Sequence, residues 1–317
     1  MILLRPKVTM TSIAAYTVNW NNADDTIMCI NSLLSCEIPL DVFVVDNAST
    51  DDSLAIISSK FPNLEIIESA TNLGYSGGAN LAFKKIISKG YRRILSINND
   101  AILSEGTISR LNQELERDES IGLISPWIVY SESDEIWFAG GRYFSWVGMT
   151  MHEKKGKVLP TPRDDFAIDS GYVCGCCVLY RSELIADVGM FDEDLFMYSE
   201  DLEHSLNSVR NGWRICTLPS VVVEHKVSSS SGSDQTKHFS KFRSYYYARN
   251  PILIIRKSPP SIKKLVSLIS QLVIVLPYSV LRMISEGTLE ALPNFLRGIF
   301  DGYMGRTGPV VLAEENS

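Results

Sequence analysis

A chain of 317 residues that is 45% hydrophobic and 21% charged has the composition of a folded protein with a real core. That length suits one large domain, or a domain of roughly 230 residues with an appendage. Its net charge of −7 argues against nucleic acid as a partner.

Residues 1–8 carry two basic side chains and no long apolar run, so no signal peptide is expected there. Residues 12–20 are apolar and β-rich and predict a first strand. Helical spacing of Ile27, Ile30, Leu33 and Leu34 predicts a helix over 24–35, capped by Asn22 or Asp24. A second strand over 40–45 ends at Asp46, and Ser49-Thr50-Asp51-Asp52 caps a helix running to Lys60. A third strand spans 64–68, a turn 74–78, a helix 79–89 and a fourth strand 93–97. This alternation with short connections predicts an α/β fold, with a mainly parallel sheet and helices on both faces. Ligands of such sheets bind beyond the carboxyl ends of the strands, where Asp46, Asn72 and Asp100 fall.

Further along, 105–118 reads as a helix, and 121–130 and 135–139 as strands. The polar stretch 144–169 reads as loops that shape an acceptor cleft. Residues 172–180 read as a buried strand. Its Cys174-Gly175-Cys176-Cys177 lacks zinc-site spacing, so these cysteines read as small apolar side chains, like Cys29, Cys36 and Cys216. Reduced thiols suit the cytoplasm. Helices are expected over 182–187 and 199–211, a strand over 218–225 and a flexible polar loop over 228–234.

After about residue 240 the composition shifts. Residues 265–281 hold no charge and are flanked by Lys257, Lys263, Lys264 and Arg282. A spanning helix needs about 20 apolar residues, so this run is marginal. Three readings stand open: an interfacial helix with basic flanks at lipid headgroups, a helix packed on the catalytic domain, and a spanning helix.

The chemistry-bearing residues lie at strand ends. A buried carboxylate is costly unless it holds a metal, a ligand or a proton. Asp46 can accept from a pyrimidine imide N–H or bind ribose, or it can belong to a capping network with Ser49 and Thr50. The segment from Asn72 through Gly77 to Asn80 is glycine-rich and opens a helix, which lets backbone approach a phosphate or a flat ring. Asp100, after Asn98 and Asn99, suits a divalent cation bridging a diphosphate, though Asn/Asp turns commonly end strands. Glu200 and Asp201 begin a helix, where the dipole alone favours acids; functionally, one can take a proton from an acceptor hydroxyl. His225 ends a strand and is a candidate metal ligand.

Taken in order, Val44 to Asp51, Asn72 to Asn80, Asn98-Asn99-Asp100, Phe191-Asp192-Glu193 through Glu200-Asp201, and Gly212-Trp213 then His225 resemble family 2 glycosyltransferases. Within them the chain is most similar to the rhamnosyltransferase-like branch that builds bacterial surface polysaccharides. The resemblance covers roughly residues 10–250, and Tyr246-Tyr247-Ala248-Arg249-Asn250 resembles a segment that follows the catalytic domain in that branch. It implies a GT-A fold for a catalytic domain over 10–240, and the composition shift sets off 241–317 as a C-terminal helical segment, with membrane association one of its three open readings. The resemblance also implies inverting transfer from a nucleotide sugar. On that likeness Asp46 reads the base, and Asn19, Asn47, Asn72, Gly77, Asn80, Asn99 and Asp100 line the donor site. Asp100 and His225 hold Mg²⁺ or Mn²⁺, Asp201 is the base, Glu200 orients it or the acceptor, and Trp213 lines the acceptor side or packs in the core. The implied donor is dTDP-rhamnose, with a UDP-sugar as the alternative. The implied acceptor is a lipid-linked glycan at the inner face of the plasma membrane.

Two departures are visible. The family's metal motif often reads Asp-x-Asp or Asn-Pro-Asp, whereas two asparagines precede Asp100, which removes one carboxylate and weakens metal affinity. After Glu200-Asp201 the branch often has Asp and then Arg; here Glu203 and Asn207 stand. A non-catalytic sugar-nucleotide-binding scaffold of the same fold is the competing class, and the intact Asp100, Asp201 and His225 favour the enzyme. A nucleotidyltransferase would want a basic glycine-rich loop near the N-terminus, and Asn19-Trp20-Asn21-Asn22 is not one.

Overall fold

The computed structural model describes residues 13–227 and 238–310. The expectations for residues 1–8 and for the loop 228–234 lie outside the described residues, as does the end of the 241–317 segment beyond 310.

The first half is built from β1 (Ile13–Asn19), α1 (Ala23–Leu34), β2 (Leu40–Asp46), α2 (Ser53–Lys60), β3 (Glu65–Glu68), α3 (Gly74–Ser88) and β4 (Arg93–Ile97). Strands β3, β2, β1 and β4 lie side by side and parallel. Successive side chains of a strand face opposite ways. Val44 therefore packs with Ile30 of α1 and Ile57 of α2, while Phe43 meets Tyr91 beyond the end of α3. Helices thus cover both faces, and β1 is buried almost throughout.

The helix predicted from 79 starts at Gly74 instead. The glycines read as a turn are the first turn of α3, because small residues let this helix press on its neighbours. A Cβ on Gly78 would stand 3.1 Å from Val18, and one on Gly74 2.2 Å from the Phe196 carbonyl oxygen. Asn22 is the cap of α1, its side chain accepting from the Asp25 amide. Asp51 accepts from the first amide of α2, at Ser53.

The second half adds β5 (Ala101–Leu103), α4 (Thr107–Arg117), β6 (Ile121–Tyr130), β7 (Ile136–Phe138), β8 (Gly141–Phe144), β9 (Met149–His152), β10 (Ile168–Asp169), β11 (Cys177–Arg181), α5 (Ser182–Val188), α6 (Glu200–Arg210) and β12 (Arg214–His225). The sheet continues from β4 through antiparallel β11 to β6 and then β12, which are parallel to each other. The strand expected over 172–180 begins only at Cys177; the residues before it form a rim segment that matters below. At the entry to the predicted loop region, β8 and β9 pair as a hairpin.

Beyond 240 come α7 (Lys241–Lys257), α8 (Ile262–Ser270), a π-helical turn over Gln271–Val275, α9 (Leu276–Glu286) and α10 (Leu292–Met304). Helix α8, the π turn and α9 run on as one 25-residue helix, Ile262–Glu286. Helix α7 joins the two regions: Leu253 and Ile254 belong to the main core, while Ile252 packs with Met283, Phe295 and Ile299 in a second core.

Candidate active site

The carboxyl edge of the central sheet gathers the sequence-predicted residues. At the end of β2, Asp46 is buried, with Oδ1 accepting from Asn19 Nδ2 at 2.9 Å and from Ser49 Oγ at 2.6 Å, and Oδ2 accepting from the Ser49 amide at 3.0 Å. The capping network is therefore present. Asn19 is wholly buried, giving its amide protons to Asp46, Ser49 and Ser53 and accepting from Thr26. It is a strut for the turn that carries Asp46.

Asn47 braces the next rim element. Its Nδ2 donates to Asn72 Oδ1 and to the Gly74 carbonyl, and its Oδ1 accepts from the Leu73 amide. Asn72 in turn accepts from the Gly74 amide at 2.8 Å. Asn80 bonds Phe191 through both amide ends and also donates to Glu193, tying α3 to the loop before α6. Gly77 sits inside α3, where a Cβ would stand 2.6 Å from that of Leu73. Asn99 donates to Thr26 Oγ1, linking the Asp100 turn to α1.

Asp100 and His225 meet, His225 Nε2 lying 3.1 Å from Asp100 Oδ1. Antiparallel pairing of His225 with Ala101 in β12 and β5 sets that approach. Both side chains are buried, Trp137 stands edge-on to the His225 ring at 4.7 Å, and His225 Nδ1 is buried with no hydrogen-bond partner among the described residues. An oxygen and an imidazole nitrogen at this spacing fit a hard divalent cation that completes its shell with substrate phosphate and water. Among the described residues no group of three or more His, Cys, Asp or Glu side chains is placed to enclose a metal, so any such ion depends on the substrate for its remaining ligands.

Across the rim, Asp201 Oδ2 accepts from the Gly175 amide at 3.0 Å and Oδ1 from the Leu202 amide at 2.7 Å. One residue further on, the Cys176 carbonyl accepts from the Asn98 amide at 2.8 Å. The Cys-Gly-Cys segment is thus a short rigid bridge between the Asp100 turn and Asp201. Its thiols are buried, and burial pushes them well above their ordinary range, as expected of packing side chains.

Glu200 is buried behind Asp201, and its Oε2 has no partner among the described residues. Burial, reinforced by the charge of Asp201, pushes Glu200 up to about 8. Burial raises Asp201 as well, against the opposing pull of its two backbone donors. The Gly175 and Leu202 amides favour negative charge on Asp201, which is partly exposed, over the buried Glu200. An ionised, outward carboxylate backed by a protonated one is suited to accept a proton.

The approach to Asp201 is strained. Phe196, Tyr198 and Ser199 all have positive φ. This turn is held by two residues whose role was not read from the sequence. Asn250, in α7 and wholly buried, donates through Nδ2 to the carbonyls of Leu195, Met197 and Tyr198 at 3.1, 2.8 and 2.7 Å. Arg249 lies beside it, bonding the Leu195 carbonyl at 2.9 Å and Asn250 Oδ1 at 2.9 Å, with its guanidinium over the Tyr246 ring. A buried Arg-Asn pair in an aromatic helix was the available signal.

Trp213 is a correction. It precedes β12, whose far end carries His225, and twelve residues of strand span roughly 35–40 Å. It packs near Gly122 and its indole N–H donates to Asp187, away from the cleft. The aromatic side chains nearer Asp201 are Tyr198 and Tyr247, whose rings meet at 5.0 Å.

The family model for "Glycosyl transferase family 2" matches residues 15–189. An N-acetylglucosaminyl-diphospho-decaprenol L-rhamnosyltransferase of Mycobacterium tuberculosis is 25% identical over 225 residues, covering 65% of this chain and 73% of the relative. The dTDP-rhamnosyl transferase RfbF of Shigella flexneri is 22% identical over 84% of this chain and 87% of its own. Among solved structures, GalNAc-T7 with UDP, GalNAc and Mn²⁺ shares the fold at TM-score 0.58 and 15% identity, over 80% of this chain. The chain spans about half the length of that structure, 53%. The fold is that of the GT-A glycosyltransferases.

Proposed function

The chain belongs to glycosyl transferase family 2 and is a glycosyltransferase, and on that premise we propose that it moves L-rhamnose from dTDP-rhamnose to a hydroxyl of a lipid-linked glycan, with inversion at the anomeric carbon. The observation that carries this reading is the rim bridge. Gly175 holds Asp201, and the adjoining Cys176 holds the Asp100 turn, so base and donor site keep a fixed separation.

Asp46 faces the nucleobase and ribose, on the turn braced by Asn19 and Ser49. Asn72, Asn47 and the start of α3 border the donor's sugar and phosphates. Asp100 and His225 would hold Mg²⁺ or Mn²⁺, which when bound neutralises charge on the departing diphosphate. Asp201 takes the proton of the acceptor hydroxyl as that oxygen attacks, while protonated Glu200 keeps a second charge out of the pocket. No covalent nucleophile is required for a single displacement. The names of the two rhamnosyl relatives support the donor and the lipid-linked acceptor, and a cytoplasmic site at the inner face of the membrane follows from such an acceptor.

The test is transfer from dTDP-rhamnose and, separately, UDP-sugars to a polyprenyl-diphosphate N-acetylglucosamine, with the anomeric configuration of the product read by NMR. Inverted product from dTDP-rhamnose is expected. Product from UDP-sugars alone would overturn the donor assignment, and retained configuration would overturn the role of Asp201.

A further inference from the structure

The helix Ile262–Glu286 is built inside out. Its protein-facing side is largely polar: Ser267, Ser270, Gln271 and Ser279 are buried, with Met283. Gln271 donates to the Val147 carbonyl and Ser270 to the Trp146 carbonyl, which fastens the helix to the β8–β9 hairpin. Its outward side is apolar: Ile262, Leu265, Ile269, Val273, Leu281 and Ile284 are exposed, the first 75%, Val273 63% and Leu281 68%. A helix at a water boundary turns its apolar stripe inward; this one is oriented for an apolar medium outside.

The neighbours extend the surface. Trp146 on the hairpin is 53% exposed, and Lys263 Nζ lies 5.8 Å from its ring centroid. On α10, Leu296, Phe300 and Met304 recur every fourth residue and are all exposed. The Tyr303 hydroxyl of that helix donates to the Leu268 carbonyl, joining the two rows. A contiguous apolar surface of this extent marks a partner or a membrane.

Charge selects the occupant. Residues 241–310 hold ten Lys and Arg against three Asp and Glu, in a chain whose net charge is −7. Lys257, Arg282, Arg297 and Arg306 are ion-paired with acids of the chain, whereas Lys263 and Lys264 at the start of the apolar helix, and Arg256 beside them at the end of α7, have no acidic partner among the described residues. Two copies meeting face to face would oppose these cations, whereas anionic headgroups would neutralise them while acyl chains take the apolar rows. We propose that helix Ile262–Glu286, the Trp146 hairpin tip and the outer row of α10 form a docking plane for an anionic lipid bilayer, lying on its surface without spanning it. The purpose assigned to the plane, delivering a lipid-linked acceptor, rests on the reaction proposed above; the plane itself does not.

Co-sedimentation of the full chain with vesicles of phosphatidylglycerol and phosphatidylcholine tests it, beside phosphatidylcholine alone. Binding is expected to be much stronger to the anionic vesicles, to weaken in high salt, and to fall at least about tenfold in Val273→Glu with Leu281→Glu. Both sites are exposed, so the variant is expected to keep its thermal midpoint and its dTDP binding, which separates loss of docking from loss of the donor site. Absence of vesicle binding, equal binding by the variant, or a dimer in light scattering that the variant abolishes would each overturn the proposal. Accessibility of the Lys263 region to a membrane-impermeant reagent from the far side of sealed vesicles would overturn the surface-lying geometry.

Discussion

Asn250 offers the sharpest test of how the base is held. Its amide reaches three carbonyls of a turn in which Phe196, Tyr198 and Ser199 have positive φ. Two N–H groups serve these acceptors, so Asn250→Ala removes two buried hydrogen bonds and leaves carbonyls unpartnered. At about 1–1.5 kcal/mol per bond, plus the penalty of orphaned acceptors, the loss is about 3 kcal/mol. Left-handed backbone at three such residues stores a comparable amount, about 1–3 kcal/mol each. The turn is therefore expected to relax once the clamp is gone, shifting the start of α6 and Asp201 with it. Displacement of a base by about 1 Å costs roughly 10²-fold in rate. Steady-state kinetics should show kcat lowered by about 100-fold with KM for the donor nearly unchanged, and a thermal midpoint lower by about 5–10 °C. Asn250→Asp, which turns acceptors toward three carbonyls, should be worse than Ala. A melting shift with wild-type kcat would refute the coupling of this clamp to the base, as would an Asp variant equal to wild type.

Other consequences are equally specific. Asp201→Asn should lower transfer by about 10³-fold while dTDP affinity, read by calorimetry, stays at its wild-type value; loss of both would make Asp201 a structural cap. Gly74→Ala should destabilise by about 2 kcal/mol or more, since residue 74 has φ +68° and an added Cβ would stand 2.2 Å from the Phe196 carbonyl oxygen; an unchanged melting curve would show that this contact is slack. Burial, reinforced by the charge of Asp201, pushes Glu200 up to about 8 from an ordinary 4.5, so the native state favours the extra proton between those values. Stability is then lost as pH rises from about 4.5 through about 8. Glu200→Gln should remove that loss, and parallel pH profiles of the two melting midpoints would contradict it.

The alternation of apolar strands with amphipathic helices made the first half of the sheet legible, because each element's own pattern decides its face. The strand-end carboxylates were legible too, since acids there rarely serve packing alone. What stayed hidden depended on contacts between distant segments. The glycines of 74–78 read locally as a turn, yet they serve a helix pressed on Phe196 and Val18. Trp213 reads from the Gly212-Trp213 resemblance as an acceptor-side or core residue, and an extended strand carries it far from His225. Asn250 could not be read as a clamp until α7 was seen crossing the turn before Glu200. The inside-out helix was visible only as an uncharged run, because which side faces the protein is a tertiary fact.

Asp100 and His225 are proposed to form one half of a metal-bridged donor site facing Asp201. Calorimetric titration with dTDP and with UDP, each in Mn²⁺ and in EDTA, for wild type and Asp100→Ala, tests it most directly. Binding of dTDP is expected to strengthen with Mn²⁺ in the wild type and to lose that dependence in Asp100→Ala. Equal affinity in Mn²⁺ and EDTA, or a metal dependence untouched by the substitution, would contradict it.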